Sequence, residues 1–388
     1  MKEVLIDYFK LEAKETSLKR ELLAGATTFI TMVYIIFVNP SMMAEAGMDY
    51  GASFVGTCLA AAFACFAMGI FANWPVGLAP GMGLNAFFTY TVVGEMGYSW
   101  QIALTAVFIA GVIFLLISVT PLRRWILESI PLSLRISMGA GVGLFIGFIG
   151  LKSSGIIISN PVNYLSLGDL TKPEPYLGIF GFLIITILSI RKIPGSIILG
   201  ILAITLISIL TNRVEFSGFV SVPPSIAPIL FELDFHGAFN VGIVSVVLTF
   251  LFVNLFDTAG TLLAVATTAN LVDERGKIEN LDRALKADST SSIVGTFVGC
   301  APVTSYVESS AGVSAGGRTG LTAVFVGMFF CLAIFVSPLA GIVPPYATAG
   351  ALIYVAMIML SGLEKLDWSD QSELIPALIT VLMIPLSF

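Results

Sequence analysis

Long apolar runs separated by short polar breaks dominate the chain, and their lengths predict membrane-crossing helices. A helix needs about 20 apolar residues to cross a bilayer. Runs of this kind fall at 22–38, 52–71, 77–93, 101–120, 132–151, 177–190, 195–211, 241–262, 286–300, 303–316, 321–337, 342–361 and 374–388, which makes thirteen expected spans. The third and tenth are irregular, each interrupted by Gly and Pro, and are predicted as broken helices. Ahead of the first span, residues 1–21 alternate Lys2, Lys10, Lys14, Lys19 and Arg20 with Leu5, Ile6, Tyr8, Phe9 and Leu11. That pattern predicts an amphipathic cytoplasmic segment lying at the membrane surface, with no cleavable signal peptide. Pro-rich stretches at 152–176 and 212–236 predict irregular outside loops, and the charged stretch 270–285 a solvated inside connector.

Composition agrees: 57% of residues are hydrophobic and 11% charged, against about 25% charged in soluble domains. This is a polytopic membrane protein. No basic patch suits nucleic acid. No His-Glu-x-x-His, Gly-x-Ser-x-Gly or paired-Asp motif suits an enzyme. No cofactor or metal is implied, and His236 has no companion ligands in sequence. Cys58, Cys65, Cys300 and Cys331 all lie in apolar runs and read as small buried hydrophobes. The Gly-rich run from Gly139 to Gly147 lies inside a span, so it predicts close helix packing and not a phosphate loop. Lys and Arg set the orientation. With the N-terminus inside, 16 of the 19 fall on the cytoplasmic side, and only Lys152, Lys172 and Arg213 fall outside. The asymmetry holds only if both irregular segments are counted as full crossings.

Two carboxylates interrupt the apolar runs. Asp257 lies in Phe256-Asp257-Thr258-Ala259-Gly260-Thr261, inside the eighth span. Glu308 lies in Tyr306-Val307-Glu308-Ser309-Ser310-Ala311-Gly312, inside the broken tenth. An ionisable residue within the membrane is costly and marks a pathway or site. The third span begins Gly77-Leu78-Ala79-Pro80 and the tenth Gly299-Cys300-Ala301-Pro302, and each places a polar side chain (Asn85, Glu308) a few residues later. Seven spans apart, they run in opposite directions, which predicts inverted repeats whose broken segments meet at a binding site. Backbone freed by such breaks must be buried in protein or face a watery cavity. A carboxylate beside it can accept two N–H groups of a planar heterocycle. These features point to a coupled transporter.

Three motifs carry a family resemblance: Phe256-Asp257-Thr258-Ala259-Gly260-Thr261-Leu262, Asn85-Ala86-Phe87-Phe88-Thr89-Tyr90 and Tyr306-Val307-Glu308-Ser309-Ser310-Ala311-Gly312. With them goes the opening Leu18-Lys19-Arg20-Glu21-Leu22-Leu23-Ala24-Gly25. The chain resembles, over nearly its whole length, the AzgA-like purine permeases of the nucleobase/cation symporter superfamily that includes uracil permease. The resemblance implies an all-α polytopic fold of two inverted seven-span repeats, with short strands in broken spans 3 and 10. It implies core domains at 22–120 and 237–337 and gate domains at 121–236 and 338–388. The family pattern runs to a fourteenth span, so the sequence is expected to end within span 13.

The resemblance also implies function. It suggests proton-coupled uptake of guanine, hypoxanthine or adenine across the inner (cell) membrane by an elevator mechanism, with sodium as the alternative coupling ion and a homodimer through the gate. Substrate contacts are expected from Glu308, Asp257 and Asn85, from Phe87 or Tyr306, and from backbone near Ala79, Val307 and Ser309. Proton coupling is expected at Asp257 and Glu308, with Thr261 and Asn254 beside them. Asn254 stands where relatives often carry an acid. The competing reading is a carrier of the same fold for an anion such as sulfate, or for uracil or xanthine. Two carboxylates disfavour the anion.

Overall fold

The computed structural model describes residues 2–387 except 121–130, 163, 217, 219, 241, 270 and 273–277. In chain order the first elements are α1 (Lys2–Phe9), α2 (Leu18–Met32), α3 (Ile35–Glu45), α4 (Tyr50–Ala67), β1 (Leu78–Pro80), α5 (Met82–Ala86) and α6 (Trp100–Val119). Next come α7 (Leu132–Ser153), β2 (Ile157–Asn160), β3 (Tyr164–Leu167), α8 (Pro173–Ile190), α9 (Ser196–Leu210) and α10 (Phe235–Asn240). The last are α11 (Val244–Thr268), α12 (Leu281–Phe297), β4 (Val303–Ser305), α13 (Ser309–Ser314), α14 (Gly320–Ala333), α15 (Ser337–Gly341), α16 (Pro345–Leu360) and α17 (Gln371–Ser387). Two units form, one from Met1–Glu128 with Ser221–Ser337, the other from Ser129–Val220 with Pro338–Phe388.

Among the described residues, eight helices are long and apolar enough to cross a membrane: Leu18–Glu45, Tyr50–Ala72, Trp100–Val119, Leu132–Ser153, Pro173–Ile190, Val244–Thr268, Gly320–Gly341 and Pro345–Lys365. Helices α9 and α17 are apolar but shorter. Local sequence sets the ends. Ser17, Asp49, Ser99 and Thr319 each accept a backbone N–H in the first turn of the helix they precede, which satisfies donors a helix start leaves unpaired. The first span is not straight. It breaks at Val33 and Tyr34, between α2 and α3, and Pro40 lies inside α3. Leu199, Leu206 and Leu210 on α9, and Phe180, Ile187 and Ile190 on α8, are exposed apolar side chains, as lipid-facing positions require.

The second unit bears out the packing expectation for the Gly-rich run. A Cβ on Gly143 would stand 2.5 Å from Met359 Cβ on α16, and one on Gly141 2.7 Å from Ile384 Cδ1 on α17. Only hydrogen at these positions lets the helices approach this closely. Two expectations shift. The stretch 152–176 is not irregular throughout: β2 and β3 pair antiparallel, with Ile157 opposite Leu167 and Asn160 opposite Tyr164. Helix α8 begins at Pro173, where a missing N–H costs nothing, and not at 177. Arg123, Arg124, Arg275 and Lys277, which help set the orientation, lie outside the described residues, as do 270 and 273–277 of the expected connector.

In the first unit the two broken spans supply each other's backbone partners. Strands β1 and β4, more than 220 residues apart in sequence and buried at every position, pair antiparallel, with Leu78 opposite Ser305, Ala79 opposite Thr304 and Pro80 opposite Val303. The Gly81 N–H donates to the Pro302 carbonyl at 2.9 Å and the Tyr306 N–H to the Gly77 carbonyl at 3.0 Å, which extends the ladder at both ends. Extended backbone in an apolar interior is tolerable only when paired in this way. Short helices follow each strand: α5, prolonged by a wider turn over Phe87–Glu95, and α13.

The expected interfacial segment is partly displaced. Glu21 lies three residues into α2 and is fully buried. Its carboxylate accepts the N–H groups of Arg318 (3.0 Å) and Thr322 (3.2 Å) and the Thr322 hydroxyl. Phe9 and Leu11 pack with Leu321, so residues before α2 also lie against α14.

Candidate functional site

The site is built where β4, α11, α12 and the break in the first span converge. Glu308 stands between β4 and α13, half-buried. The Tyr34 hydroxyl, from the break between α2 and α3, donates to Glu308 Oε1 at 2.8 Å. The helix break therefore has a use: it turns a buried tyrosine, 1% exposed, onto the carboxylate. Close packing holds the surroundings. A Cβ on Gly312 of α13 would collide with Thr28 Oγ1 and stand 2.6 Å from the Ala24 carbonyl on α2.

Asp257, half-buried on α11, receives the Thr304 hydroxyl of β4 at 3.4 Å. From there a polar chain continues inward. Thr304 Oγ1 lies 3.1 Å from Thr258 Oγ1, and Thr258 donates to Asp288 Oδ1 on α12 at 3.0 Å. Ser305 donates to the other oxygen, Asp288 Oδ2, at 2.9 Å. Asp288 is fully buried. Beside the two expected carboxylates, the polar chain thus brings in a third, Asp288. Its signal stood in the sequence, because Asp288-Ser289-Thr290-Ser291-Ser292 puts five polar residues inside an expected span. Tyr34 carried no such signal among ten tyrosines.

The other candidates separate. Asn85 is fully buried on α5, and neither polar atom of its amide has a hydrogen-bond partner among the described residues. A buried amide left unpaired costs about 1–3 kcal/mol and needs a reason. Recognition of a polar ligand is such a reason. Asn254 sits one turn before Asp257, buried, and donates to the Ser292 hydroxyl at 3.3 Å. Ser292 in turn donates to the Val303 carbonyl at 2.6 Å and so ties α11 and α12 to β4. Thr261 is half-buried one turn beyond Asp257 and takes no part in the chain to Asp288.

Ala79 is committed to the strand pair, opposite Thr304. Ser309 is buried, and its hydroxyl accepts the Gly77 N–H at 3.0 Å, which joins the two broken spans. The Tyr306 hydroxyl donates to the Pro80 carbonyl and closes the strand crossing. Phe87 is buried edge-to-face against Phe250, with centroids 5.0 Å apart. The structure thus gives Tyr306, Phe87 and Ser309 packing and backbone roles. Val307 exposes its side chain beside Glu308. Carboxylates, a phenol, hydroxyls and an unpaired amide can recognise a planar polar solute, and the carboxylates can exchange protons.

Comparison with known proteins fits this geometry. The permease-family model Xan_ur_permease matches residues 19–388. The adenine permease AdeP of Escherichia coli (strain K12) is 50% identical over 98% of this chain and 85% of its own length. The guanine/hypoxanthine permease PbuO of Bacillus subtilis (strain 168) is 40% identical over 98% of this chain and 89% of its own. Among solved structures, the transmembrane domain of the cyanobacterium bicarbonate transporter BicA superposes with a TM-score of 0.74 at 16% identity, covering 95% of this chain and 96% of that one. That last likeness shows a shared fold alone. A multi-pass helical chain, two broken spans crossing as paired strands, and a match over nearly its full length lead to one assignment: the chain belongs to the Xan_ur_permease permease family, and is a transporter, not an enzyme.

Proposed function

We propose that this protein takes up purine nucleobases across the cytoplasmic membrane, coupled to protons, with its N-terminus inside. Adenine is the first candidate among the purines. The relatives AdeP (50% identical) and AdeQ (48%) are named adenine permeases, while PbuO (40%) and PbuG (42%) are named guanine/hypoxanthine permeases. The observation that carries the site assignment is the Glu308 carboxylate, held by Tyr34 where the broken tenth span turns from β4 into α13. A carboxylate in that setting accepts N–H groups from the edge of a purine. Asn85 offers a donor and an acceptor in one plane. Asp257 supplies a second exchangeable proton site.

The unit holding these residues acts as the transport core and the other as the gate, in an elevator type of alternating access. A homodimer formed through the gate belongs to the same proposal. The experiment is uptake of radiolabelled adenine, guanine, hypoxanthine and uracil into cells lacking their own nucleobase permeases, with and without a protonophore. Purine uptake, adenine foremost, that collapses with the protonophore is the expected result. Uptake driven by a sodium gradient alone would overturn the coupling. Uptake of none of the four would overturn the substrate class.

A further inference from the structure

The polar chain from Asp257 to Asp288 contains fewer hydrogens than links. Three oxygen-to-oxygen contacts run along it: Asp257 Oδ2 to Thr304 Oγ1 at 3.4 Å, Thr304 Oγ1 to Thr258 Oγ1 at 3.1 Å, and Thr258 Oγ1 to Asp288 Oδ1 at 3.0 Å. Each threonine hydroxyl carries one hydrogen. Two hydrogens fill two links, so with both carboxylates ionised one link lacks its proton. One added proton fills all three. It can be carried at either end, and the hydroxyls point accordingly.

We propose that Asp257 and Asp288 share the transported proton through this wire of two threonine hydroxyls, with entry at Asp257 and storage on Asp288. The inference rests on the proposed proton-coupled purine uptake and deepens it. Asp257 is half-buried and keeps part of its surface accessible, whereas Asp288 is fully buried, so its proton must arrive through other groups. The transfer balances. The Asp257 O–H breaks as its proton passes to Thr304 Oγ1, the Thr304 hydrogen passes to Thr258 Oγ1, and the Thr258 hydrogen passes to Asp288 Oδ1. Three O–H bonds break and three form.

The surroundings favour this arrangement. Ser305 donates to Asp288 Oδ2, which keeps that oxygen an acceptor and leaves Oδ1 to take the proton. Asn254 and Ser292, beside the wire on α11 and α12, pair with each other and with the Val303 carbonyl, not with the carboxylates. The titratable groups facing the pair are Glu308 and Tyr306 on the β4–α13 segment, with Tyr34 beyond Glu308 and the buried thiols Cys65 and Cys300 nearby. Among the described residues no lysine, arginine or histidine faces them. A buried carboxylate without a cation beside it is costly when ionised, and a shared proton removes that cost. Storage on Asp288 also leaves Asp257 and Glu308 free to meet the purine, so proton and substrate do not compete for one group.

The test uses the full chain in liposomes and reads two quantities: exchange of labelled adenine at equal pH, and its accumulation against an imposed pH difference of one unit. With one proton per purine, that difference sustains about a tenfold gradient in the parent. Thr258→Val cuts the wire and keeps both carboxylates. It should retain exchange within about threefold while accumulation falls to about unity, and Thr258→Ser should restore it. Thr304→Val, which suits a strand, should behave as Thr258→Val does. Accumulation by both valine variants equal to the parent would overturn the wire. Loss of exchange together with accumulation in both would assign the hydroxyls to packing or binding, and would overturn it too. A parent that exchanges adenine but accumulates it only with a sodium gradient would refute the proton wire. A parent that exchanges no purine would instead refute the proposed function itself.

Discussion

Replacing Tyr34 by phenylalanine removes one oxygen atom and keeps the ring that packs it. The lost contact is the 2.8 Å bond from the Tyr34 hydroxyl to Glu308 Oε1, and Tyr34 is only 1% exposed, so water does not readily replace it. A hydrogen bond to a charged group contributes about 1.5–3 kcal/mol. That sum divides between two observables. The part that holds the fold lowers the thermal midpoint. The part that orients Glu308 for its ligand weakens purine affinity, by about 10- to 150-fold if all of it is expressed there. The assay is calorimetric titration of the purified parent and Tyr34→Phe with adenine, beside their thermal unfolding. The expected result is a clear loss of affinity with a small loss of stability. A lowered midpoint with affinity within about twofold of the parent would refute the orienting role.

Three further outcomes follow from contacts elsewhere in the first unit. Glu21→Ala removes a buried carboxylate from the Arg318 and Thr322 N–H groups and should cost about 3 kcal/mol of stability, read as a lower thermal midpoint in detergent. Gly312→Val forces side-chain atoms toward Thr28 and the Ala24 carbonyl and should cost about 3 kcal/mol, seen as poor yield of folded protein by size-exclusion chromatography. Glu279→Ala breaks an ion pair with Lys14 whose side chains are 44% and 27% exposed. Its effect on the midpoint should correspond to less than about 1 kcal/mol, because the Trp74 indole bonds the Glu279 carbonyl and keeps its partner.

Much of this was legible in the sequence for simple physical reasons. Membrane spans announce themselves by length and hydropathy. The breaks at Pro80 and Pro302 show because proline cannot continue a helix. Asp257 and Glu308 show because each is the one charged residue of its expected span. What stayed hidden depends on contacts distant in sequence. Nothing local pairs Leu78 with Ser305, or brings Tyr34 to Glu308. Asp288 is harder to see because Asp282, Arg283 and Lys286 lie just ahead of it, and a polar helix start makes one more acid look peripheral. Glu21 looks interfacial for the same reason, although on α2 it is buried against Arg318 and Thr322 at the start of α14. Tyr306 and Phe87 are ligand groups by type, and the sequence does not show that one also bonds the Pro80 carbonyl and the other packs on Phe250.

The most direct test is purine binding to the purified protein, compared with Glu308→Gln and Asp257→Asn. A ligand at 100 times its dissociation constant stabilises the folded state by about 2.7 kcal/mol, which thermal unfolding in detergent resolves. Adenine should raise the parent's midpoint, sulfate and bicarbonate should not, and Glu308→Gln should lose most of the effect while remaining folded. Equal stabilisation of the parent and Glu308→Gln by adenine, or stabilisation of the parent by the anions and not by any purine, would contradict a purine site built on Glu308.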